Sequence, residues 1–451
     1  MNEAPATLAI IGGGFAGTTL ALQARAAWPE ARILLFEPGE PGPGLAYGTR
    51  DPTHLLNVPA TGMSLYPDQP NHFAEWLERQ PDAPPPEEEG PRFAPRMLYG
   101  RYLREAFRAA EGPMLRHVPQ QVTALEPRPE GGFLLRGGEG ASHAAERVVL
   151  AAGGFAAEQG SPPHVFGNPW DPESLRGLGP DDPVLMVGLG LTMVDMLLSL
   201  RAQGHHGPVL GISRHGWLPL PHVTGAFPPP WPPRLPEGEV PGPLALARLL
   251  RREAARAAAE GQPWQAVADG LRPHLQRLWR GWDEAARRRF LRHGRSAWNL
   301  HRHRVAPAVG RFVAAEREAG RLEVMAARLE SWHPEGEGVV ATLRRRGGRP
   351  ESRRFARIVL CTGPDGAAAW RNTPPVPSAL SSGILAPDEL GMGLAVEGEG
   401  RALGQDGKVR PSLFVLGPLT RGTSWEITAV PEIRAQAAAL LKGMHGVGRE
   451  A

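Results

Sequence analysis

Two glycine-rich turns, each entered from an apolar run and left through a helix-forming one, divide this chain of 451 residues. The first is Leu8-Ala-Ile-Ile-Gly12-Gly13-Gly14-Phe15-Ala16-Gly17, followed by the strand-like Ile33-Leu-Leu-Phe-Glu37. The second is Val184-Leu-Met-Val-Gly188-Leu189-Gly190-Leu191-Thr192-Met193, followed by Val209-Leu-Gly-Ile-Ser213-Arg214. A short apolar run ending in glycines and followed by a helix reads as a buried parallel strand entering a βαβ unit. Two such units predict an α/β chain with two Rossmann-like three-layer domains.

In the first turn, Gly12 permits the tight bend and Gly14 lets a pyrophosphate approach the backbone. Gly17 lets the helix pack against the strand, and Phe15 and Ala16 present first-turn N–H groups to an anion. Glu37, at the end of the next strand, stands where a carboxylate accepts both ribose hydroxyls and disfavours a 2′-phosphate. The site therefore suits FAD or NAD. In the second turn Gly188, Gly190, Leu191 and Thr192 repeat the pattern, but Met193 replaces the third glycine, so its helix is expected to stand slightly off the strand. Ser213 and Arg214 occupy the place of Glu37. A hydroxyl and a guanidinium there suit the 2′-phosphate of NADPH; the alternative is an ordinary surface arginine.

Three further apolar runs end in glycine: 147–153, 357–363 and 412–417. Gly153 and Gly417 are assigned to the first nucleotide site and Gly363 to the second. The expected division is an FAD-binding domain over 1–179 and 355–451, interrupted by an NAD(P)-binding domain over 180–354. Short alternating runs over 116–150 predict a β-meander. The proline density of 219–236 predicts a loop or surface belt. Residues 240–305 read as a helical insertion, and 244–304 holds 14 arginines against five acids.

Composition excludes several classes. A single cysteine, Cys361, rules out a disulfide framework, a thiolate metal site and paired redox thiols. No metal site is expected; His301 and His303 have no nearby carboxylate or cysteine to complete one. No run approaches a membrane span. The first strand begins too near the start for a leader, so a cytoplasmic location is expected. The arginine-rich insertion lacks a nucleic-acid-reading motif, and no nucleic-acid partner is expected; closing over the site and helping to bind an acidic substrate suits it better.

Several strings are specific: Gly44-Leu-Ala-Tyr-Gly48, His54-Leu-Leu-Asn57-Val-Pro59, Phe93-Ala-Pro-Arg-Met-Leu-Tyr-Gly100, Trp425-Glu426 and Val430-Pro-Glu432-Ile-Arg434. With the first glycine turn, they make the chain resemble a bacterial FAD/NAD(P)-binding family typified by YdhS. More distantly, the order of parts is similar to the flavin N-hydroxylating and Baeyer–Villiger monooxygenases. That resemblance implies a flavin ring beside the loop 54–64, with Leu56, Asn57 and Met63 closest. It also implies adenine pairing at Val122, and a C-terminal flavin motif at Gly417 in which Ser424 or Thr423 replaces the usual carboxylate and Trp425 follows. Asn57 is the candidate beside flavin N5, or it caps a turn. His54 is a proton shuttle or a hydrogen-bonded spacer. The implied activity is an NADPH-reduced flavoenzyme acting on a small-molecule substrate with molecular oxygen, preferably by N-hydroxylation of an amine. A reductase without oxygen insertion and a non-catalytic redox sensor remain the alternatives.

Overall fold

The computed structural model describes residues 6–85, 90–153, 164–363 and 369–445. Its first sheet begins with β1 (Thr7–Ile11) and β2 (Arg32–Phe36), joined by helix α1 (Phe15–Ala27). Helices α2 (Gly44–Tyr47), α3 (His72–Glu78) and α4 (Arg96–Ala110) lead to β3 (Leu115–Val118). A separate antiparallel sheet of β4 (Val122–Pro127), β5 (Phe133–Gly137) and β6 (Ser142–Ala145) follows, then β7 (Arg147–Leu150).

The second sheet contains β8 (Val165–Phe166), β9 (Val184–Val187) and β10 (Val209–Ser213), with α5 (Leu191–Ala202) joining the last two. Five helices form the insertion: α6 (Pro243–Ala259), α7 (Trp264–Leu271), α8 (Leu275–Gly281), α9 (Glu284–His293) and α10 (Arg295–Arg302). Helix α11 (Pro307–Glu318) returns the chain to β11 (Leu322–Glu335), β12 (Gly338–Arg345), β13 (Pro350–Phe355) and β14 (Arg357–Leu360). The C-terminal part comprises α12 (Val376–Ser381), β15 (Val396–Glu397), β16 (Arg401–Leu403), β17 (Val409–Val415) and α13 (Val430–His445).

The strand orders are β15-β16-β17-β7-β1-β2-β3 and β13-β12-β11-β10-β9-β14-β8. At the centre of each, the glycine-entering strand is flanked by two parallel neighbours: Ile10 lies opposite Leu35 and Val149, Met186 opposite Gly211 and Val359. Both faces of these central strands are covered, which is why their sequences are continuously apolar rather than alternating. Leu8, Ile10, Ile33 and Leu35 pack under α1, α4 and α13, while Ala9, Ile11, Leu34 and Phe36 face the antiparallel sheet and α12. The second sheet repeats the arrangement, with Val184 and Met186 under α5 and α11, and Leu185, Leu210 and Ile212 facing the β11–β13 meander. The chain is thus an α/β fold of two mixed, largely parallel sheets, one nested within the other in sequence.

One boundary moves. The expected crossings at 179/180 and 354/355 lie inside the second sheet, because β8 and β14 pair with each other and β14 pairs with β9. The run 357–363 closes beside β9 as 147–153 closes beside β1. A strand-glycine ending looks the same in either sheet, so pattern alone does not say which one it joins. Among the described residues no helix is long and apolar enough to cross a membrane.

The two halves meet at α5. Arg96, first residue of α4, reaches Asp195 of α5 with a 2.7 Å ion pair, and both side chains are largely buried. Burial holds the Asp195 carboxyl above the usual carboxylate range, with Arg96 opposing the shift. Removing one partner leaves the other buried without compensation. Arg96→Met is therefore expected to lose about 3–5 kcal/mol of unfolding free energy in urea titrations, most of it restored in Arg96→Met/Asp195→Leu.

Candidate functional site: two glycine turns and the loop between them

Gly12 has φ +104°, and a β-carbon there would lie 2.9 Å from the Ala151 carbonyl oxygen. A β-carbon on Gly17 would sit 1.8 Å from the Gly12 carbonyl oxygen. Gly12 is thus required by contact as well as by torsion, and Gly17 by contact. Gly14 precedes α1 with no side-chain cap, leaving the first-turn N–H groups of this helix available to an anion. Glu37 receives the Gly13 N–H at 2.8 Å and the Gly39 N–H at 3.2 Å, which fixes its carboxylate at the end of β2. From Glu37 a cleft of about 620 Å³ runs past Gly44 and Gly48 to Arg50, Arg101 and Arg104. The Glu37 and Glu40 carboxylates and four guanidiniums line it, and a β-carbon on Gly14 would lie 3.7 Å from the Gly44 Cα, so the cleft opens beside the first glycine turn. Arg50, which the sequence reading passed over, is exposed and has no ion-pair or hydrogen-bond partner among the described residues.

The second turn superposes in kind. Gly188 has φ +106°, and a β-carbon there would lie 2.3 Å from the Cys361 carbonyl oxygen, the counterpart of the Gly12–Ala151 contact. Space beside Gly190 and Gly363 is open, and Leu191 and Thr192 are half-buried at the start of α5. Met193 is fully buried against Val184, Met186 and Cys361. A side chain fits there only if the helix sits farther from its turn than α1 does. The Ser213 hydroxyl accepts the Gly216 N–H at 3.0 Å. Arg214 is exposed and unpaired among the described residues, so its guanidinium is free for a phosphate.

Between the turns runs the loop 51–66. Backbone hydrogen bonds from Leu56 to Ala94 and from Ala60 to Arg92 tie it to the chain before α4. The Arg434 guanidinium donates to the Ser64 carbonyl at 2.8 Å, and Thr19 of α1 donates to Leu65 at 3.0 Å. His54 is buried, with Thr49 at 2.9 Å from Nδ1 and Ser199 at 2.7 Å from Nε2. Ser199 in turn donates to Asp51 at 2.5 Å. Both ring nitrogens of His54 are thus engaged inside the protein, and the ring ties α5 to the loop.

Leu56 and Met63 lie on the inner side of the loop. Each is 2 % exposed and belongs to the core cluster that contains Phe15, Ala16 and Tyr99, so they support the loop from beneath. In the loop Pro52 and Thr61 are exposed, and Asn57, Val58 and Gly62 are among its half-buried residues. The Asn57 carbonyl accepts the Nε2–H of His222 at 3.0 Å, while its half-buried amide has no partner among the described residues. Val122 starts β4, an edge strand, with its side chain in the core.

Gly417, at φ +76°, crosses over the start of α1, where its β-carbon would lie 3.3 Å from that of Ala16. Its N–H donates to Gln436 at 2.8 Å, and Gly153 lies beneath Pro418. The following segment departs from expectation. Ser424 and Trp425 are buried, and Trp425 stacks on Trp279 of the insertion with ring centroids 4.9 Å apart. Trp425 therefore joins the insertion to the segment that follows Gly417. Glu426 has φ +65°, a conformation that costs a non-glycine residue about 1–2 kcal/mol. That turn directs its carboxylate inward to the Trp298 indole N–H at 2.8 Å and toward Arg302 at 3.5 Å. Burial draws the Arg302 guanidinium and the His303 imidazole below their ordinary values. Among the described residues no histidine, cysteine and carboxylate group is placed to hold a metal.

Residues 9–155 match the model of the FAD-NAD(P)-binding family. No curated protein matches the chain. Solved structures similar in fold include L-lysine 6-monooxygenase from Pseudomonas syringae, with a TM-score of 0.65 at 18 % identity, covering 99 % of this chain and 100 % of the other. Ornithine N-hydroxylase of Kutzneria sp. 744 gives 0.61 at 14 % identity, covering 98 % of this chain and 99 % of the other. Thioredoxin reductase of Lactococcus lactis gives 0.50 at 12 %, covering 98 % of each. Residues 9–155 thus resemble an FAD-NAD(P)-binding domain. The nested arrangement of the whole chain is shared in fold with flavin monooxygenases and with thioredoxin reductase alike.

Burial lowers the His222 pKa from 6.5 to about 4, so the ring is neutral in the fold while it charges more readily in the unfolded chain. Its contribution to stability is complete above pH 6.5 and declines as pH falls toward 4. His222→Gln is expected to flatten the fall in unfolding free energy over that window, measured by urea titration at stepped pH; an unchanged slope would assign the fall to other groups.

Proposed function

We propose that this chain is an FAD-dependent oxidoreductase reduced by NADPH that acts as a monooxygenase on a small molecule, with N-hydroxylation of an amine preferred. The observation that carries the oxidoreductase part is the pairing of two glycine turns of the same design, one ending in Glu37 and the other in Arg214, fixed to each other through α5. FAD, when bound, accepts a hydride from the nicotinamide and passes the electrons to oxygen or to another acceptor.

The chain's own residues bind and orient. Gly12, Gly14, Phe15 and Ala16 hold the flavin nucleotide's pyrophosphate, and Glu37 its ribose. Gly188, Gly190, Leu191 and Thr192 hold the second pyrophosphate, and Arg214, with Ser213 beside it, takes the 2′-phosphate. Asn57 offers its free amide to the edge of the flavin ring. Gly153, Gly417 and Ser424 shape the wall opposite the loop.

The choice against disulfide reduction rests on Cys361. It is the sole cysteine of the sequence and is buried at the end of β14, where burial pushes its thiol pKa up. A reactive thiol needs the opposite setting, exposed and electropositive. Oxygen insertion is favoured by the likeness in fold to amine-hydroxylating flavoenzymes.

Arg214→Ala is expected to raise KM for NADPH about ten-fold or more while leaving KM for NADH little changed. Equal effects on both would remove the 2′-phosphate assignment. In a second measurement, peroxide release per NADPH consumed is followed with candidate amines and isotopically labelled oxygen. A fall in peroxide matched by label in the product supports the monooxygenase; full peroxide release with every amine assigns an oxidase or reductase, and no flavin reduction at all a non-catalytic role.

A further inference from the structure

The helical insertion encloses a second cavity of about 620 Å³, separate from the nucleotide cleft. Leu246 and Leu250 of α6, Leu271 of α7, Trp279 of α8, Trp282 just after α8 and Phe290 of α9 line it. Its size falls within the roughly 300–1,000 Å³ of small-molecule sites, and its walls are of the apolar and aromatic kind such sites use. No acidic side chain lines it. Its charged lining is Arg251, Arg289, His293 and His301. Arg251 and Arg289 are exposed and make no ion pair or hydrogen bond among the described residues. Leu244, 62 % exposed, stands at the same edge as an uncovered apolar side chain.

A second, independent observation comes from the inner wall. Trp425 lines the cavity and is 5 % exposed, yet its indole N–H is buried with no acceptor in the protein. Tryptophan buried in a core normally finds a partner for that group. The backbone around it is tied to the insertion, since Trp279 donates to the Gly422 carbonyl at 2.8 Å and Gln276 donates to the Trp425 carbonyl. The inner end of the cavity is therefore built from the same segment that follows Gly417 over the start of α1.

We propose that this cavity binds a carboxylate with an apolar body of about medium acyl-chain size. The head group sits at Arg251, Arg289 and His293, and the body among the leucines and tryptophans, ending toward Trp425. That its inner end faces the redox centre rests on the proposed flavin function; the binding site itself does not. The inference names the substrate class for the insertion: an amphipathic acid rather than a small hydrophilic amino acid.

The test titrates the full-length, FAD-loaded protein with dodecanoate and follows tryptophan fluorescence, which several of the lining residues report directly. A saturable change is expected, weakened about ten-fold or more by Leu250→Trp, which fills the cavity. A several-fold weakening is expected for Arg251→Glu/Arg289→Glu, which acts at the rim and leaves the core untouched. FAD content and circular dichroism of both variants should match the parent. Dodecanol, without the charge, should bind more weakly than dodecanoate to the parent and equally to the rim variant. The proposal is overturned by no saturable change, by unaltered affinity in folded Leu250→Trp, or by dodecanol binding as tightly as the acid. It is equally overturned if anionic vesicles titrate the signal while dodecanoate does not, or if light scattering shows a dimer that Leu250→Trp dissociates. The readout needs no turnover, so failed oxygen insertion leaves it intact, and failed binding leaves NADPH reduction of the flavoprotein to be judged alone.

Discussion

The buried contact between α5 and the loop 51–57 is the constraint on which the rest of the arrangement depends. Arg96 and Asp195 form its charged element, and His54, Ser199 and Asp51 its hydrogen-bonded one. Ion pairs in such surroundings contribute little net stability, but they penalise any arrangement that separates them. Arg96 also donates through its backbone to the His54 carbonyl at 2.8 Å and through Nε to the Leu55 carbonyl at 3.2 Å. One guanidinium thus fixes the loop beside the first glycine turn and the helix that starts at the second. This contact sets how the two glycine turns stand relative to each other.

The two turns show how one design tolerates different sequences. In the first, Gly13 leaves room for Glu37, whose β-carbon would lie only 2.5 Å from a β-carbon at position 13. In the second, Leu189 takes the equivalent place, and the strand opposite answers with Gly211, where a β-carbon would lie 2.6 Å from Leu189. A carboxylate over glycine has been exchanged for leucine over glycine. The second turn therefore has an apolar floor and must find its charge farther out, at Arg214. Met193 stands where the first turn has Gly17, and its side chain is fully buried in the core of the second unit.

The glycine turns, the sheets they imply and the residues that end the strands were legible in sequence because each depends on local backbone geometry. What failed to show was tertiary. Leu56 and Met63 lie in a loop whose neighbours are accessible, and nothing local says that they point into the core while Asn57 does not. The run 357–363 has the same signature as 147–153, and only pairing with β9 places it in the second sheet. His54 looked like chemistry because histidine in a loop often is; its partners Thr49 and Ser199 lie 5 and 145 residues away in sequence. The string Trp425-Glu426 was visible, but not the left-handed backbone at Glu426 that turns its carboxylate inward.

The arginine excess of the insertion acquires meaning from how it is distributed. Arg302 and Arg304 are buried and paired with Glu426 and Asp269, so they belong to the scaffold. Arg272 reaches Glu432 at the start of α13, joining the insertion to the C-terminal helix. Arg256 of α6 pairs with Glu253 and Arg288 of α9 with Glu284, which leaves Arg251 and Arg289 as exposed arginines without an ion pair among the described residues. An uncompensated positive rim around an apolar cavity attracts an anion whose remainder avoids water, and it repels a cationic amine approaching from the same side. Any amine substrate would therefore have to carry a carboxylate toward the rim or enter by another route. The charge arrangement of the insertion thus bears on the reaction as well as on binding, because it selects which end of a substrate can arrive beside Trp425.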